Sequence, residues 1–97
     1  MAGRDVIVLA GSAGGVEALK QVVAGLPADL PAAVFVVLHV PPHGPSVLPQ
    51  ILARAGKLPA VHPKDGDPVR AGVIHVAPPD HHLVVKDGHV RLTRGPR

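Results

Sequence analysis

A serine in a nest of small residues, "GSAGG" (11–15), follows an apolar run, and His39 closes the next apolar run 27 residues later. A serine hydroxyl is a weak nucleophile until a base takes its proton, and neutral imidazole suits that task near neutral pH. Gly11, Ala13, Gly14 and Gly15 leave Ser12 almost no side-chain cover. That lets either a substrate carbonyl reach the hydroxyl or a phosphate reach the backbone. The amides of Ala13, Gly14 or Gly15, at the start of a helix, can stabilise an oxyanion. Both phosphate readings fail at named positions. A dinucleotide fingerprint needs G-x-G-x-x-G and an acidic residue ending the second strand, but position 13 is Ala and that strand ends in His39. A P-loop needs Lys directly after its glycines, and here none comes before Lys20. Two readings stay open: a serine nucleophile, or a Gly-rich turn of structural use only.

The chain has seven histidines, which raises the question of a metal. His81 and His82 are adjacent, so on a strand they point to opposite faces. His75 and His89 lie in strand patterns, while His43 and His62 lie in loop or strand-end contexts. No H-x-x-x-H or H-E-x-x-H helix is present, and a site would have to be gathered from distant strands. Surface or hydrogen-bonded roles are expected for these histidines, and neither a metal nor another cofactor is called for.

The elements that must position Ser12 and His39 can be read from periodicity. "DVIVLA" (5–10) is a continuous β-branched run, as in a strand buried on both faces. From Val16 the spacing turns helical through Leu19, Val22, Val23 and Leu26, and Gly25 with Pro27 ends the helix. "AAVFVVLHV" (32–40) is a second buried strand, stopped by Pro41 and Pro42. Strand, helix and strand over about 35 residues make a βαβ unit with parallel strands. Ligands of open α/β sheets bind at the carboxyl ends of such strands, where Ser12 and His39 both fall. A second helix is expected after Ser46 as N-cap, with Val47, Leu48, Ile51, Leu52 and Ala55 inward and Gly56 closing it. "PAVHP" (59–63) and "VIHVA" (73–77) read as strands, with turns over 64–72. "HLVVK" and "HVRLT" around Asp87-Gly88 read as a hairpin with a type I′ turn.

Composition narrows the class. Ninety-seven residues make one small domain, and an apolar fraction of 46% is enough for a core. No apolar run reaches the roughly 18–20 residues a membrane helix needs, and the short apolar start lacks the h-region of a signal peptide. The absence of cysteine fits a cytoplasmic location. The net charge of +3 is dispersed and only one residue is aromatic, so a solvated basic surface is expected rather than nucleic-acid binding. The expected fold is a three-layer α/β/α sandwich with a mainly parallel, Rossmann-like sheet and a C-terminal antiparallel hairpin. Apolar parallel strands need cover on both faces, and only two helices are available. The sheet therefore reads as the first part of a larger one, with an open edge suited to self-association or to pairing with another chain.

"GSAGGVEAL", "LPADLPAAVFVVLHVPP" and "GDPVRAGVIHVAPPDHHL" together resemble, in order and spacing, the catalytic domain of CheB-type chemotaxis methylesterases. The resemblance runs over residues 5–97. It includes the glycine-flanked serine, the H-x-P after the second strand and the A-P-x-x-x-H segment. It implies hydrolysis of glutamyl methyl esters on the signalling helices of methyl-accepting chemoreceptors, often with glutamine deamidation, by a Ser-His-Asp triad. By position, Ser12 corresponds to the nucleophile and His39 to the general base. His82 falls where the family has a histidine near the active-site rim, although a plain strand-start histidine is an equal reading. Ala13 stands where the family often has Thr. The resemblance also implies two departures. The receiver domain of classical members is not in residues 1–97, and the triad aspartate would lie beyond "RGPR". Asp80 is the one nearby carboxylate worth testing as a substitute.

Overall fold

The computed structural model describes residues 5–12, 15–39, 47–78 and 81–93. In chain order the elements are β1 (Asp5–Ser12), α1 (Val16–Ala24), β2 (Ala32–His39), α2 (Leu48–Ala55), β3 (Ala60–Val61), β4 (Ile74–Val76), β5 (His82–Lys86) and β6 (His89–Thr93). Four strands form a parallel sheet in the order β1-β2-β4-β3, and β5 and β6 form a separate antiparallel pair.

The two faces of the sheet are covered differently. Alternate residues of a strand point to opposite faces. One row of the sheet, Val34, Val36, Ile74 and Val76, is buried with Leu19 and Val23 of α1, Leu52 of α2 and Leu58. Both helices therefore lie against this face. The opposite row, Ala33 and Phe35, is buried under Val90 of β6, with Val69, Leu83 and Leu92 packed around it. Among the described residues the hairpin forms the layer opposite the helices.

The hairpin forms over the expected residues. Asp87 and Gly88 have φ of 53° and 75°, the paired positive values a type I′ turn requires. It is tied to the 64–70 turn by backbone bonds from Val69 N–H to the Gly88 carbonyl (2.9 Å) and from Val90 N–H to the Asp67 carbonyl (2.7 Å). The Leu92 N–H donates to Asp65 Oδ1 at 2.9 Å.

Several boundaries depart from the sequence reading. β1 continues two residues past Ala10 to Ser12, because β2 runs alongside it over its whole length. β3 shrinks to Ala60–Val61; Pro59 and Pro63 flank it and cannot donate to a ladder. β4 is likewise trimmed to Ile74–Val76. The N-cap of α2 is Val47, and Pro49 occupies the first turn, where its missing N–H costs nothing. Val47 is exposed, not inward. Ser46 lies outside the described residues.

Gly56 is set by a close approach between helices. A Cβ there would stand 2.5 Å from the Val23 carbonyl oxygen and 3.0 Å from its carbon. These are backbone atoms of a fully buried residue, which cannot swing away. Gly56→Ala is expected to cost about 1–3 kcal/mol by overpacking the α1–α2 contact, read as a lower urea midpoint at unchanged m-value. A midpoint equal to the parent's would show that the helices part freely.

Candidate functional site

The ladder between β1 and β2 begins with Asp5 opposite Ala32 and ends with Ser12 opposite His39. Neighbouring strands stand about 4.8 Å apart. The register therefore brings the backbones of two residues 27 apart in sequence side by side at the carboxyl end of the sheet. This is where an open parallel sheet binds its ligands. β1 and β2 are apolar and β-branched enough to pair without a break, and α1 is the crossover that makes them parallel.

Gly15 follows as the N-cap of α1, with φ −91° and no side-chain cap. Among the described residues, apart from its chain neighbours and its own helix backbone, no atom lies within 4 Å of where its Cβ would be. The first amides of a helix lack intrahelical partners and carry the positive end of its dipole. Ala13 and Gly14, the other oxyanion candidates, lie outside the described residues, as does Asp80. His82 opens β5, opposite Thr93, and is exposed. It belongs to the two-stranded sheet and not to the ladder that holds Ser12 and His39.

His75 has a role that the sequence left generic. It is only 2% exposed and stacks on Phe35, with ring centroids 4.8 Å apart. Its Nδ1 bonds the Val34 carbonyl oxygen at 3.0 Å, and its Nε2 accepts the Arg70 N–H at 3.3 Å. One nitrogen must donate and the other accept, so the ring is a neutral tautomer with the proton on Nδ1. His62 similarly bonds the Val76 carbonyl oxygen through Nδ1 at 2.9 Å. Both side chains fix strand positions. His75→Phe keeps the volume and the stack but leaves the Arg70 N–H without the ring nitrogen that accepts it, which is expected to cost about 1–3 kcal/mol in urea unfolding. An unchanged stability would mean that packing alone secures β4.

The profile of the CheB methylesterase family matches residues 7–97. The chain belongs to the CheB methylesterase family. A protein-glutamate methylesterase/protein-glutamine glutaminase of Symbiobacterium thermophilum is 42% identical over 94 residues, 96% of this chain and 26% of that protein. Another, from Anaeromyxobacter dehalogenans, is 39% identical over 92 residues, 95% of this chain and 27% of that protein. The CheB methylesterase catalytic domain of Thermotoga maritima, a crystal structure, superposes with a TM-score of 0.84 at 30% identity, covering 100% of this chain and 53% of that one. The chain thus spans about a quarter of the length of these curated CheB relatives and about half of the solved CheB catalytic domain. That likeness agrees with the Rossmann-like fold expected from the sequence. Among the described residues no helix is long and apolar enough to cross a membrane.

Proposed function

We propose that residues 1–97 carry the nucleophile and general base of a protein-glutamate methylesterase, and of the matching glutamine deamidase. The observation that carries this reading is the register pair Ser12–His39 at the carboxyl ends of β1 and β2. Family membership supports the substrate class, since the related proteins are named for methylesterase and glutaminase activity. The substrate is then a glutamyl methyl ester on the signalling helices of a chemoreceptor, in the cytoplasm. The enzyme acts as a serine esterase within a phosphorelay-linked chemotaxis pathway.

The steps follow from the residue types. Ser12 Oγ attacks the ester carbonyl carbon while His39 takes its proton. The oxyanion that forms is held by amides at the start of α1, where Gly15 stands. As the tetrahedral intermediate collapses, the C–O bond to the methoxy group breaks and His39 returns the proton, releasing methanol. Water then attacks the acyl-enzyme with His39 again as base. The free glutamate leaves and Ser12 regains its proton. With a glutamine side chain the leaving group is ammonia. Ala13 supplies no hydroxyl to these steps, and His82 is assigned a place on the substrate-facing rim.

The test is methanol release from methylated receptor-helix peptides. The enzyme would be residues 1–97 joined to the segment that continues the Thermotoga maritima catalytic domain. Methanol release that depends on Ser12 supports the assignment. A His82→Ala variant that raises KM with kcat unchanged supports the rim role. Hydrolysis indifferent to Ser12 overturns the reading. Nucleotide-induced thermal stabilisation, without hydrolysis, would favour a small nucleotide-binding protein instead.

A further inference from the structure

The β3 end of the parallel sheet carries a recess of its own. Phe35, His75 and Val61 stand in register on β2, β4 and β3, so all three face the hairpin side. The hairpin covers Phe35, but Val61 at the end of the row is 44% exposed. Between β3 and the 64–70 turn a cavity of about 450 Å³ opens over His75 and Val61. That is within the rough 300–1,000 Å³ range of small-molecule sites. Its walls are apolar at Pro63, Pro68 and Val73, and Lys64, Asp67 and Arg70 line it beside His62. The charges of the turn are unequally used. Asp67 Oδ2 accepts the Lys64 N–H at 2.8 Å, and Asp65 Oδ1 accepts the Leu92 N–H at 2.9 Å. Both carboxylates are thus held by backbone. Neither the Lys64 ammonium nor the Arg70 guanidinium has an ion-pair partner among the described residues. The turn itself is pinned. The Gly66 N–H bonds the Val90 carbonyl and the Val90 N–H bonds the Asp67 carbonyl, each at 2.7 Å. The Arg70 N–H is held by His75 Nε2 at 3.3 Å.

We propose that this cavity binds a small organic monocarboxylate. Its apolar body lies against Val61, Pro63 and Val73, and its carboxylate sits between Lys64 and Arg70. A guanidinium takes a carboxylate through paired hydrogen bonds, and an ammonium adds a point charge. The two cations against the single carboxylate of Asp67 leave one positive charge in the cavity, which a monoanion neutralises. A phosphate monoester would bring a second negative charge up to Asp67. An added peptide strand fits poorly here. β3 has two residues, and the prolines that flank it, Pro59 and Pro63, have no N–H to donate. Because the turn is fixed by its backbone bonds, little ordering cost is left for binding. The site is separate from Ser12 and His39: β2 and β4 stand between β3 and β1, about 14 Å at the usual strand spacing. It goes beyond the methylesterase reading and does not depend on it.

The experiment titrates phenylacetate into the isotope-labelled 97-residue chain and follows its amide resonances. The same titration on the chain joined to the remainder of a CheB catalytic domain decides the matter if the short chain gives no dispersed spectrum. Saturable shifts centred on the amides of Val61, Gly66, Arg70 and Val73 are expected. Phenylacetamide, equal in shape but uncharged, should bind at least tenfold more weakly, and Arg70→Gln should raise the Kd for phenylacetate at least tenfold. Lys86→Gln, which removes an exposed hairpin cation, should leave that Kd unchanged, as should Ser12→Ala. Lys64 and Arg70 are exposed, so neutral variants there do not burden the fold. Absence of saturable shifts overturns the proposal. So do equal binding of the amide, equal loss in Lys86→Gln, or shifts spread over the basic surface, each of which reduces the effect to general charge attraction. Tighter binding of phenyl phosphate, or of a short glutamyl peptide, would give the cavity to a different ligand class and likewise overturn it.

Discussion

Ser12→Ala is expected to abolish ester hydrolysis in residues 1–97 joined to the remainder of a CheB catalytic domain, with kcat falling about 10⁶-fold. That is about 8 kcal/mol of barrier. In the proposed mechanism the hydroxyl is both the attacking atom and the site of the covalent intermediate, so no neighbouring residue can substitute. His39→Ala should cost nearly as much, and the double variant little more than either alone, because nucleophile and base act as one unit. Near-additive losses would mean that the two residues work in separate steps. The pairing of Ser12 with His39 across the last rung of the ladder makes the non-additive outcome the expected one.

The second large effect concerns the group that orients His39. A histidine acting as base needs an acceptor on its other nitrogen to fix its tautomer and ring plane and to stabilise the imidazolium. The CheB resemblance implies an aspartate for this task, and Asp5, Asp29, Asp65, Asp67, Asp80 and Asp87 do not occupy its place in the sequence pattern. Disabling that aspartate in a chymotrypsin-type triad lowers turnover about 10⁴-fold, roughly 5.5 kcal/mol. The 97-residue polypeptide assayed by itself should therefore hydrolyse methyl esters about 10⁴-fold more slowly than the joined chain. Comparable turnover would contradict the expectation, unless Asp80→Asn then removed it and identified a local carboxylate.

How much of this was legible in the sequence differs from element to element. The hairpin was readable to the residue because its cause is local: Asp87 and Gly88 adopt positive φ, which few other dipeptides tolerate. The β1–α1–β2 unit was equally plain, since the change from continuous to helical spacing at Val16 is a property of the chain alone. Strand ends were less so. Ser12 belongs to β1 only because β2 is long enough to pair with it, a tertiary fact that no window around residue 12 contains. Val47, expected inward, is exposed, because periodicity gives the centre of a helix's apolar stripe but not what lies against its margin. His75 left a signal that can be used. A histidine within "VIHVA", a strand buried on both faces, must satisfy both ring nitrogens, and here the Val34 carbonyl and the Arg70 amide do so.

Serine-directed fluorophosphonate labelling, followed by peptide mass spectrometry on the joined chain, tests the catalytic assignment most directly. Phosphonylation displaces fluoride and requires an activated hydroxyl, so it reports the nucleophile and its base together. A single adduct on the peptide carrying Ser12, lost in Ser12→Ala and strongly slowed in His39→Gln, is the expected result. An adduct on Ser46 or elsewhere, or labelling of Ser12 that is indifferent to His39, would contradict it.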